Sequence, residues 1–222
     1  LHKVINFLKK FKKNNFIKII YCPPNTLIRP MSKKLKNSSI EVGAQNCHES
    51  LNFGAFTGSI NSRMLKDVGA KYVIVGHSEN RFSGETNKLI NLKIKSALKS
   101  GLKVIFCIGE TLKEKRKKNT KQVLNKQIKM GLSGINNKNK IIIAYEPVWS
   151  IGTGLIPKSK ELFETVNFIK RKIGNYKILY GGSVNPKNID LLKSINNIDG
   201  FLIGGASQES KKFIDIIKKT YN

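Results

Sequence analysis

Short runs of β-branched and aliphatic residues alternate along the chain with stretches whose apolar positions recur every three to four residues. The short runs lie at 16–21 (FIKIIY), 40–44 (IEVGA), 71–76 (KYVIVG), 103–109 (KVIFCIG), 140–145 (KIIIAY), 176–182 (YKILYGG) and 200–205 (GFLIGG). Most are continuously apolar, the pattern of parallel strands covered on both faces. The longer stretches predict helices over 4–13, 26–36, 61–68, 85–99, 112–132, 159–173, 188–195 and 207–219. Gly69, Gly101 and Gly174 fall just past three of them, where a stop is expected, and Pro186 precedes the seventh. Seven strands alternating with eight helices predict an α/β fold, a (β/α)8 barrel lacking its first β-strand. An open doubly wound sheet is the alternative, although no G-x-G-x-x-G fingerprint follows an early strand. No linker or composition break divides the sequence, so 1–222 reads as a single domain, incomplete at its N-terminus. The chain opens on Leu1 and on a helix, so either the sequence is partial, with its true start upstream, or a UUG-type start codon is written literally.

Composition narrows the class. Hydrophobic residues make up 40% of the 222, enough for a core, which excludes wholesale disorder. No apolar run approaches the roughly 18–20 residues that cross a bilayer. Lys and Arg number 41 against 14 Asp and Glu, a net charge of +27, which raises polyanions as partners. A dedicated nucleic-acid binder concentrates such charge and interleaves aromatics; here Lys is dispersed and Arg scarce. The expectation is no specific nucleic-acid partner, with nonspecific attraction at low salt. Cys22, Cys47 and Cys107 are odd in number and lack C-x-x-C spacing, against a disulfide framework or zinc site. The basic, acid-free start at 1–15 lacks a secretory h-region and cleavage site, while a transit peptide stays open. The expected location is cytoplasmic.

Four strand ends carry candidate chemistry, as the carboxyl ends of barrel strands do. VGHSENR puts His77 and Glu79 beyond an apolar run. A neutral imidazole at a helix start can donate to a carbonyl oxygen, though a structural His is the commoner outcome, and Glu79 can simply cap or pair with a lysine. Glu146 closes IIIAYE, where burial would raise a carboxylate's pKa and strengthen a base. Pro147–Trp149 then read as a stiff hinge and Ser150–Gly154 as a mobile lid tip, with Gly152 able to bring an N–H to an anion; an ordinary loop is the bland reading. YGGSVNP and FLIGGAS offer Ser183, Gly204 and Gly205 at helix starts, a phosphate site or plain turns.

Taken in order, VGAQN (42–46), GAFTGSI (54–60), YVIVGHSENR (72–81), FCIGE (106–110), AYEPVWSIGTG (144–154), YGGSV (180–184) and DGFLIGGAS (199–207) resemble the triosephosphate isomerase family over nearly the whole chain. The resemblance implies a TIM barrel and an intramolecular aldose–ketose isomerase of glycolysis and gluconeogenesis. Its substrate would be a triose phosphate, converted through an enediolate without metal or organic cofactor. By the same resemblance Glu146 is the base, His77 the neutral electrophile, and Glu79 a supporting group behind it. Gly152, Ser183, Gly204 and Gly205 would hold phosphate beneath a closing lid, and the protein would be a homodimer. This division of labour is an established illustration of pKa tuning.

Three departures shape expectations. The family's first strand ends in Asn-x-Lys; no equivalent precedes Leu1 and none of the chain's lysines occupies that position by motif, so the chain by itself is expected to turn over poorly. Ser59 and Asn80 stand where the family usually has Glu and Arg near its dimer interface. Both charges are gone together, so dimerisation is expected to survive. Ser150 replaces a usual Ala in the lid, small for small, with little effect expected. The competing readings are a truncated, impaired isomerase remnant and a basic polyanion-binding barrel.

Overall fold

The computed structural model describes residues 2–10 and 17–221. In chain order they form α1 (His2–Lys10), β1 (Ile20–Tyr21), α2 (Ile28–Leu35), β2 (Glu41–Ala44), α3 (Ser62–Asp67), β3 (Tyr72–Val75), α4 (Ser78–Phe82) and α5 (Asn87–Lys99). Then follow β4 (Lys103–Ile108), α6 (Leu112–Arg116), α7 (Thr120–Gly131), β5 (Ile141–Tyr145), α8 (Ser159–Ile173), β6 (Lys177–Tyr180), α9 (Ile189–Lys193), β7 (Gly200–Phe201) and α10 (Ser210–Tyr221). The strands hydrogen-bond in chain order, β1 through β7, in one sheet, and the registered pairs are parallel. Each predicted strand has a counterpart. Residue 16 of the first prediction and 11–13 of the first helix lie outside the described residues.

Two differences from the pattern have local causes. The predicted helix over 112–132 is two helices. Thr111 and Glu114 build a reciprocal cap on α6, and Lys118, at φ +59°, turns the chain before α7. The five residues of α4 are too few to show a period, and His77 caps them.

The chain divides into two compact units, residues 1–14, 108–128 and 143–222, and residues 15–107 and 129–142. In the second, Val73 and Val75 of β3 and Val104 and Phe106 of β4 are fully buried, as are Ile90, Ile94 and Ala97 on one face of α5. Thr86 caps α5 by accepting from Leu89 N at 3.2 Å. One α5 lysine breaks the solvent-facing pattern. Lys93 is buried, paired with Glu85 and 3.2 Å from Asn46 Oδ1. In the first unit, Ile143 and Ala144 of β5 and Ile178 and Tyr180 of β6 are buried, and α8 contributes the stripe Leu162, Val166, Ile169 and Ile173. Positive φ at Gly69, Gly101 and Gly174 bears out these three stops.

Candidate active site

Within the first unit the end of β5 carries Glu146, 3% exposed, its N–H held by Ile108 O at 2.8 Å. Two glycines make room for it. A Cβ on Gly109 would sit 1.7 Å from Glu146 O, and one on Gly181 would sit 2.8 Å from Glu146 Cγ. Gly109 is fixed from the other side by Gln127. Its Oε1 accepts from Gly109 N and its Nε2 donates to Gly109 O, each at 2.9 Å.

The hinge after Glu146 is tied to Glu110 at the end of β4. Trp149 donates its indole N–H to Glu110 Oε1 at 2.9 Å, the Tyr145 hydroxyl lies 3.2 Å from Oε2, and Val148 N donates to Glu110 O at 3.0 Å. Burial pushes the Glu110 carboxyl above its ordinary value, against the opposing pull of these hydrogen bonds. Lys115 stacks 3.5 Å from the centre of the indole ring and pairs with Glu161 at 2.7 Å. Sequence reasoning did not single out Glu110, although an acid closing an apolar strand is the signal that found Glu146.

The segment Ser150–Gly154, expected from the sequence to be a lid tip, is hydrogen-bonded to the loop after β6. Gly154 N donates to Ser183 Oγ at 3.0 Å, and Ser183 Oγ donates to Ser150 O at 2.6 Å. Gly152 is at φ +70° with open space around a would-be Cβ, so conformation rather than crowding calls for glycine there. Gly204 and Gly205 are exposed where β7 gives way to a 3-10 turn, and Ser207 occupies the Gly204 carbonyl through N–H and Oγ.

In the second unit Gly76, at φ +77°, turns β3 into His77. The His77 Nδ1 accepts from Glu79 N at 3.4 Å, which in the neutral ring leaves the proton on Nε2. Burial lowers the His77 pKa from its ordinary value, partly offset by the Glu79 charge. The Glu79 carboxylate itself is 86% exposed and 3.8 Å from Nδ1. Arg81 fixes this corner. Its Nε donates to Gly76 O at 2.7 Å and its Nη2 to Cys107 O at 2.9 Å, fastening the ends of β3 and β4. Arg81 was part of the motif but was given no role of its own. All three cysteines are free, and no His, Cys, Asp or Glu cluster among the described residues suits a metal.

The comparison with known families decides the lineage: the triosephosphate isomerase model matches residues 1–220. The chain belongs to the triosephosphate isomerase family. Triosephosphate isomerase of Dictyoglomus thermophilum is 44% identical over 96% of this chain and 92% of the relative. That of Dehalococcoides mccartyi is 45% identical over 91% of this chain and 83% of the relative. The crystal structure of triosephosphate isomerase from Bartonella henselae matches all of the chain with a TM-score of 0.89 at 32% identity, covering 91% of that structure. The predicted α/β barrel class is thereby borne out, and the chain is an isomerase whose family implies a triose phosphate substrate. Among the described residues, no helix is long and apolar enough to cross a membrane.

Proposed function

We propose that the chain interconverts dihydroxyacetone phosphate and D-glyceraldehyde 3-phosphate, with Glu146 as the base. The Glu146 carboxylate takes the proton from the carbon beside the carbonyl and returns it to the neighbouring carbon. The Nε2–H of His77 donates to the carbonyl oxygen as it gains charge, and the same nitrogen relays protons between the two oxygens. The electrons stay within the substrate, so the step balances without an outside oxidant or reductant. Glu79 anchors the ring tautomer by donating its backbone N–H to Nδ1. Gly152, Ser183, Gly204 and Gly205 bind the phosphate, and lid closure keeps water from the enediolate.

The observation that carries this reading is the close packing of buried Glu146 at the end of β5 against Gly181, where a Cβ would stand 2.8 Å from Glu146 Cγ and displace the side chain. Glu146→Asp draws the base back by about 1 Å, which is expected to lower kcat roughly a hundredfold with little change in KM. An unchanged kcat contradicts the assignment.

The reading extends to a single-domain, cytoplasmic enzyme of glycolysis and gluconeogenesis that works as a homodimer and has no specific nucleic-acid partner. Support for the dimer comes from residues 51–60, which expose Phe53 and Phe56 beside a hollow lined by His48, Asn61 and Met64. Ser59 and Asn80 bring no charge to bury there. Sedimentation at micromolar concentration is expected to show a dimer; a monomer contradicts it.

A further inference from the structure

The start and end of the lid meet on one hydroxyl. Ser150 is fully buried, and its Oγ donates to Leu155 O, five residues on, at 2.5 Å. The Tyr180 hydroxyl lies 3.1 Å from the same oxygen and Ser183 N lies 3.3 Å from it. A serine hydroxyl has one proton to give and two acceptor positions. With the proton on Leu155 O, Ser150 Oγ accepts from the Tyr180 O–H and the Ser183 N–H, and its capacity is filled. Burial pushes the Tyr180 hydroxyl up to about 12, so it stays a donor at neutral pH. Gly182 makes room for the pair, because a Cβ there would stand 2.6 Å from Ser150 Oγ and 2.2 Å from the Tyr180 oxygen. The Ser150 backbone joins in through its carbonyl, which accepts from Ser183 Oγ. One side chain therefore joins the first residue of the lid, its far end, β6 and the loop holding Ser183. Alanine offers none of the three side-chain bonds, so serine here is not a neutral exchange of one small residue for another.

We propose that Ser150 is a positioning residue whose hydroxyl latches the lid shut by tying it to Tyr180 and to the loop that carries Ser183. It touches no reacting atom and acts through Leu155, Tyr180 and Ser183. The inference rests on the proposed isomerase reading, which makes this segment a lid over a bound triose phosphate; the three hydrogen bonds of the Ser150 hydroxyl stand apart from it. Losing the hydroxyl is expected to move the lid toward its open state about tenfold, or about 1.4 kcal/mol.

The sole tryptophan, Trp149, adjoins Ser150, so its emission reports on the lid without turnover. Ser150→Ala removes the hydroxyl, while Ser150→Cys keeps nearly the same volume with a weak donor. Each variant is titrated with glycerol 3-phosphate, the reduced, carbonyl-free counterpart of a triose phosphate, and assayed with D-glyceraldehyde 3-phosphate. The Kd for glycerol 3-phosphate is expected to rise about tenfold in the alanine variant and less in the cysteine variant, with kcat/KM falling in step. A merely structural role lowers Tm but leaves that Kd and the emission change as they were, and this result overturns the latch. Should the alanine variant fail to fold, the cysteine variant decides by the same readouts. A parent chain that binds glycerol 3-phosphate through the latch yet shows no isomerisation counts against the proposed reaction, not against Ser150.

Discussion

The ends of β4 and β5 look alike in sequence, FCIGE at one and IIIAYE at the other, and both glutamates are buried, Glu110 at 1% exposure and Glu146 at 3%. Their surroundings differ. The Glu110 oxygens receive the indole N–H of Trp149 and the hydroxyl of Tyr145, so this carboxylate is spent on holding the hinge. Glu146 lies between Gly109 and Gly181, where every added carbon would collide with it. Glu110 is held by donors of the hinge, whereas Glu146 packs directly against two glycine backbones that set where its side chain stands. Burial alone does not identify a base.

That contrast can be broken most forcefully at Gly181. Alanine there crowds Glu146 Cγ, and kcat is expected to fall between roughly tenfold and a hundredfold while stability drops by about 1–3 kcal/mol. An intact kcat in steady-state assays would show that this close packing does not matter. A smaller effect on turnover is expected at the β4 end. Gln127→Leu strands the N–H and carbonyl of Gly109 in a buried site, at about 1–3 kcal/mol for each. Urea denaturation should show the loss of stability, with kcat within a fewfold of the parent; a variant as stable as the parent contradicts the brace.

The smallest effect concerns His77. Its imidazole titrates below the ordinary 6.5, so the fold prefers the neutral ring. The stability this group contributes is present above pH 6.5 and is lost as pH falls through the lowered value. An NMR titration of the His77 ring should give a midpoint below 6.5; one at or above it contradicts the buried, neutral ring.

The strands were legible because runs such as YVIVG and KVIFCIG are covered on both faces and end on glycine. The break in 112–132 was not. KEKRKKNTK carries neither Gly nor Pro, and the turn rests on a left-handed lysine that no pattern announces. His77 and Glu146 stood out as polar residues at the ends of apolar strands. Glu110 carried the same signature, yet its role depends on Trp149, 39 residues away. Ser150 read as neutral because its partners at Tyr180 and Ser183 are 30 and 33 residues distant. What a local pattern misses in each case is a hydrogen bond closed by tertiary structure.

The most direct measurement applies the same isosteric change to both strand ends, Glu146→Gln and Glu110→Gln, with kcat and KM determined side by side on D-glyceraldehyde 3-phosphate. The loss in kcat is expected to be about a thousandfold at Glu146, within the range of a general base, and less than about tenfold at Glu110. Equal losses, or the larger loss at Glu110, would contradict this expectation.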